Sequence, residues 1–101
     1  MSVPDVSQDR FDAYGYTHIA ANGTVLVKTG SGLLRGVTTN IYGATGHTVT
    51  LYDGVDAGGV MIGSFRSDIL RGMMRYDVVF NTGLTVVTGG ATTGDFTVVS
   101  V

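Results

Sequence analysis

The chain has no cysteine, no tryptophan and no glutamate, and its one proline is Pro4. Without cysteine there are no disulfides, and Cys-type zinc sites, iron–sulfur clusters and thiol catalysis are excluded. The redox compartment stays open, because a cysteine-free chain folds in either environment. Strong helix formers are scarce: six Ala, six Leu, one Lys and one Gln. A chain so composed cannot be helical over much of its length. Charge is thin at 14%, and six basic residues face eight Asp for a net charge of -2. That argues against nucleic-acid binding through a basic face, and against disorder driven by charge. No apolar run approaches the ~20 residues of a membrane span. The first twelve residues carry three Asp and no apolar core segment, unlike a secretory signal.

What the chain does have is 16 Gly, 15 Val and 14 Thr among 101 residues. Val and Thr are β-branched and suit a pleated surface, while Gly at this level means many turns. One domain with one core is expected at this length. Residues 1–16 stand apart: they hold the only Pro, three Asp and the aromatics Phe11, Tyr14 and Tyr16, with no period of 2 or 3.6. They are expected to form an N-terminal arm or an irregular first strand, reaching roughly 50 Å if fully extended. Residues 17–101 are expected to form the folded domain.

From there the text alternates strands and turns. Strands are expected at 16–21, 24–28, 33–41, 47–52, 60–66, 74–80, 84–88 and 95–101. Asn22-Gly23 is the strongest hairpin signal, since both positions tolerate the positive φ of a type I′ turn. Within 33–41 the expected apolar face is Leu33, Val37 and Ile41, and mid-strand Gly36 marks a bulge or a close neighbour. Val49 and Leu51 should point inward, with Thr48, Thr50 and Tyr52 outward. Met74, Tyr76, Val78 and Phe80 should share one face. In 84–87 and 96–101 both faces carry apolar groups, so those strands either sit centrally or cover a second surface. About eight strands at this spacing predict an all-β antiparallel sandwich, jelly-roll or immunoglobulin-like, preceded by an arm.

No catalytic signature emerges. His18 and His47 lack ligand spacing, so ordinary strand or turn histidines are the better reading and no metal or cofactor is implied. Asp53-Gly-Val-Asp56 lacks the calcium-loop pattern; Asp53 is expected to bond its own backbone two residues on. The serines show no nucleophile elbow, and the eight Asp single out no glycosidase pair. Asn22-Gly-Thr24 matches a glycosylation acceptor but coincides with the turn signal. The chain is therefore expected not to be an enzyme. Arg66, Arg71 and Arg75 cluster with Met73 around the least β-like stretch, and Arg and Met are enriched in interface cores. With Phe11, Tyr14 and Tyr16 of the arm they form the candidate interface set.

Several stretches carry a family resemblance: TVLVKTGSGLLRGVTT at 24–39, GHTVTLYDG at 46–54, YDVVF at 76–80, GLTVVT at 83–88 and DFTV at 95–98. In order and rhythm they resemble small β-sandwich virion proteins of tailed bacteriophages. The resemblance covers residues 20–101, and its 67–75 segment departs from the plainer Thr/Gly-rich connection of that group. It implies a capsid decoration (cement) protein on the capsid exterior, a homotrimer bridging capsomers of a major capsid protein, with no nucleic-acid or membrane partner and no catalytic residues. The alternative is a carbohydrate-binding or adhesion module of a head fibre or tail component. Against it stand the lack of Trp and the scattering of Tyr14, Tyr16, Tyr42, Tyr52 and Tyr76.

Overall fold

The computed structural model describes residues 15–41, 43, 45–67, 72–90 and 94–101. They form eight strands: β1 Gly15–Ile19, β2 Gly23–Thr29, β3 Gly32–Ile41, β4 Thr48–Asp53, β5 Val60–Arg66, β6 Gly72–Phe80, β7 Gly83–Gly89 and β8 Asp95–Ser100. All pairings are antiparallel, in two sheets of four ordered β1-β8-β3-β6 and β2-β7-β4-β5. The protein is an all-β sandwich, as its composition requires.

Only β4 and β5 are both consecutive and paired; every other connection crosses from one sheet to the other. Strands alternate between sheets in the manner of a jelly roll, whereas an immunoglobulin-like order pairs its first two strands. The expected Asn22-Gly23 hairpin is therefore corrected. β1 pairs with β8 and β2 with β7, so the turn carries the chain between sheets. Gly23 does take a positive φ of 143° there. Asn22-Gly23 does turn the chain, but a local signal does not say which strands it joins.

One face of each sheet builds the core: Ile19, Leu34, Val37, Val49, Leu51, Phe65, Phe80, Leu84, Val86, Phe96 and Val98. Met74, Tyr76 and Val78 pack against it with Phe80, as the alternation predicts, and Val49 and Leu51 are fully buried. The apolar surplus of the last two strands is explained by position. β7 lies between β2 and β4, and β8 between β1 and β3. Burying Phe96 makes a large contribution: truncating such a ring to Ala costs about 3–5 kcal/mol.

The face of β3 differs from expectation. Leu34, not Leu33, enters the core with Val37, and Ile41 is exposed. The reason is a bulge. Leu34 pairs with Ser100 and Val37 with Val98, so β3 uses one residue more than β8 between these rungs. An extra residue inverts the alternation. Gly36 sits in this stretch because a Cβ there would fall on the Met74 carbonyl oxygen and lie 3.2 Å from the Arg75 Cα. A second shift between Thr39 and Ile41 leaves both Asn40 and Ile41 facing outward.

Candidate functional site

Both ends of the sandwich are tied by polar side chains. At one end β1, β3, β5 and β7 finish and β2, β4, β6 and β8 begin. His47, fully buried, stacks on Phe96 with ring centroids 5.6 Å apart and planes 8° from parallel. Its Nε2 donates to Asn22 Oδ1 at 2.7 Å, its Nδ1 is hydrogen-bonded to the Ser67 Oγ, and that hydroxyl also donates to the His47 carbonyl at 3.3 Å. The Ser67 backbone amide donates to the His47 carbonyl at 2.9 Å. This Ser–His–Asn order looks like a nucleophilic relay, but Ser67 is fully buried and its hydroxyl has no access to a substrate. It fastens connections together.

At the other end Asp53 closes β4. Its carboxylate accepts from the backbone amides of Asn81 at 2.9 Å, Thr82 at 2.8 Å and Gly83 at 3.4 Å. The bond from Thr82, then that from Asn81, holds the Asp53 carboxyl below the usual carboxylate range. The expected local turn bond belongs instead to Asp56, whose Oδ1 accepts from the Gly58 amide at 2.8 Å. Asp53 reaches across the fold because its position at the strand end aims it at the β6–β7 turn.

The outer face of the first sheet carries two charged clusters. Asp77 of β6, at φ 50°, places one carboxylate oxygen 3.1 Å from Arg35 Nε and the other 2.9 Å from Arg75 Nε. Toward the β1 edge, Asp95 Oδ1 accepts from His18 Nε2 at 2.7 Å and from Asn40 Nδ2 at 2.9 Å. Asn40 Nδ2 also donates to Thr97 Oγ1 at 3.0 Å. The bond from Asn40, then that from His18, lowers the pKa of the Asp95 carboxyl. His18 and Asp95 are 77 residues apart, and Asn40 arrives from a third strand through the β3 bulge, so no local motif points to this group.

The candidate interface residues separate. Phe11, Tyr14 and Arg71 lie outside the described residues. Tyr16 is a β1 residue, 77% exposed. It opens a register row that runs through Val99 and Gly36 to Arg75 at the opposite edge of the sheet. Three strand spacings of about 4.8 Å put Tyr16 and Arg75 roughly 14 Å apart. Arg66 lies on edge strand β5 of the second sheet, and Met73 and Arg75 lie on edge strand β6 of the first. The ring of Tyr76 on β6 lies against Gly63 of β5, where a Cβ would be 2.6 Å from its Cε1. Burial there raises the pKa of the Tyr76 hydroxyl. The same two strands expose Val60, Met61, Met73 and Val79. The β5 and β4–β5 members, Val60, Met61 and Val55, were not singled out by the sequence, where they read as ordinary hairpin residues.

Among the described residues no group of three or more His, Asp or Glu stands close enough to hold a metal ion. No protein-family model matches the chain, and no curated protein matches its sequence.

Proposed function

We propose that this chain is a non-enzymatic virion structural protein of a tailed bacteriophage, one that decorates the capsid exterior and bridges capsomers as a homotrimer. The reading starts from the resemblance carried by residues 20–101. One structural observation adds to it. Among the described residues, half of the eight exposed large hydrophobics, Val60, Met61, Met73 and Val79, lie on edge strands β5 and β6 at one side of the sandwich. Arg66 and Arg75 belong to the same two strands. Apolar contacts rimmed by arginine are the composition of interface cores. A rigid jelly roll can carry such a side to a lattice, where repetition multiplies weak contacts into avidity.

In this reading the β5–β6 side faces the capsid, and Met73 and Arg75 contribute directly to attachment. Co-sedimentation with capsid particles tests it. The wild-type protein is expected to pellet with particles, while Met61→Asp and Met73→Asp, both outward-facing, weaken attachment without lowering the melting temperature. Light scattering is expected to give the mass of a trimer, free or on particles. A strict monomer whose particle binding is untouched by both substitutions would contradict the reading.

A further inference from the structure

We infer that Asn22-Gly23 is a chemical modification site: the Asn22 amide converts to a carboxyl group by attack of the Gly23 backbone nitrogen, and the fold restrains that reaction through His47. The chain has three asparagines, Asn22, Asn40 and Asn81, and only Asn22 precedes a glycine. Glycine has no Cβ to crowd its own nitrogen, and its backbone turns more freely than that of other residues. The reaction uses only the chain and water. The Gly23 nitrogen forms a bond to Asn22 Cγ, the Cγ–Nδ2 bond breaks, and ammonia leaves with the proton that the Gly23 amide gives up. Water then opens the five-membered imide at either carbonyl. One opening gives aspartate. The other gives isoaspartate, in which the main chain runs through the former side chain. None of this depends on the capsid reading.

Asn22 is exposed, so water reaches it, but both ends of its amide are held. Oδ1 accepts from His47 Nε2 at 2.7 Å, and Nδ2 donates to the Gly90 carbonyl in a long bond of 3.5 Å. The anchor is itself fixed: His47 is fully buried, stacks on Phe96 and is bonded through Nδ1 to Ser67. On the backbone side, Gly23 stands in β2 opposite Thr88, whose hydroxyl donates to the Ala21 carbonyl at 3.1 Å. Ring closure requires the Gly23 nitrogen and Asn22 Cγ to approach in line for attack. With the amide tied to His47 and the backbone tied to β7, the His47–Asn22 bond must open before the two atoms meet. A histidine N–H on Oδ1 also polarises the amide carbonyl, which favours attack. That gain needs the nitrogen to reach Cγ while the bond persists, and the pairing of Gly23 in β2 opposes it.

The native rate is then the rate in the unfolded chain multiplied by the fraction of time this end of the sandwich stands open. Both products weaken the seam. Aspartate loses the donor to Gly90. Isoaspartate adds a methylene to the main chain of a link that spans only residues 20–22 between β1 and β2.

Peptide mapping by mass spectrometry tests the inference. The full-length protein is incubated at mildly alkaline pH, folded and in guanidinium chloride, and conversion at each asparagine is followed, with isoaspartate resolved by chromatography. In the unfolded chain Asn22 is expected to convert ahead of Asn40 and Asn81. In the folded protein it should convert more slowly by about tenfold or more. His47→Phe keeps a ring against Phe96 but removes the Nε2–H, and should raise the folded-state rate about tenfold, with thermal melts showing the variant folded. Ser67→Ala, which frees the far side of the ring, should raise it less and in the same direction, and it decides the matter if His47→Phe does not fold. Gly36→Ala, destabilised in mid-strand β3, should keep the wild-type rate. Equal rates in folded and unfolded wild type would overturn the inference, as would faster conversion when folded or an inert Asn22 in the unfolded chain. So would a wild-type rate in folded His47→Phe, or, where that variant does not fold, in Ser67→Ala. An equal rise in Gly36→Ala would trace the protection to global stability and overturn the role of His47.

Discussion

The Oδ1 of Asp53 accepts a hydrogen bond from the backbone amide of Thr82 at 2.8 Å, joining points 29 residues apart. With Asn81 and Gly83 also donating, one carboxylate organises the turn that leads from the first sheet into β7. The Gly54 amide, bonded to the Gly83 carbonyl at 3.0 Å, and the Thr85 hydroxyl, bonded to the Gly54 carbonyl at 2.8 Å, continue the same seam.

Asp53→Ala should therefore lower the melting temperature at neutral pH. The sign of the pH dependence follows from the depressed pKa. The carboxylate contribution is complete above the ordinary value of 3.8 and is lost as pH falls through the lower folded value. The gap in melting temperature between wild type and Asp53→Ala should thus be widest at neutral pH and shrink below pH 3.8. Thermal melts across that range check it; a gap that widens in acid would contradict the assignment.

Gly36 and Gly89 form a matched pair of tests. Gly36→Ala drives a methyl group into the Met74 carbonyl, and overpacking of this kind costs about 1–3 kcal/mol. Gly89 has nothing within 4 Å of its would-be Cβ. Gly89→Ala is expected to be neutral, or stabilising by a few tenths of a kcal/mol through the unfolded chain. Denaturant unfolding of both variants reads the difference.

Ser67→Ala removes the buried hydroxyl that bonds His47 Nδ1 and the His47 carbonyl. The expected cost is about 1–3 kcal/mol. At about 4–8 °C per kcal/mol for a domain near this size, the melting temperature should fall measurably. Wild-type Ser67 should not be labelled by a fluorophosphonate reagent in the native state, since the hydroxyl is enclosed. Native-state labelling at Ser67 would show that this end of the sandwich opens.

Strand positions were largely legible because alternation is local: the 60–66 strand has the bounds read from its sequence, and β4 and β6 place their faces as expected. Strand partners were not. Asn22-Gly23 has the chemistry of a hairpin turn, yet its flanking strands lie in different sheets. The face of β3 was misassigned for a related reason. Whether Gly36 inverts the alternation depends on β6 and β8 on either side, which the strand's own sequence does not contain. The candidate sites divide the same way. Met73 and Arg75 are near in sequence and share β6, whereas Arg66 lies on β5 of the other sheet and Tyr16 is parted from β6 by β8 and β3. His18, Asn40 and Asp95 meet only through the sheet order β1-β8-β3.

The measurement that bears most directly on the capsid reading is amide hydrogen exchange of the protein free and bound to capsid particles. Docking through the β5–β6 side predicts slowed exchange on binding within Val60–Arg66 and Gly72–Phe80, with Gly15–Ile19 unchanged. Protection confined to Gly15–Ile19, or no difference between free and particle-mixed protein, would contradict it.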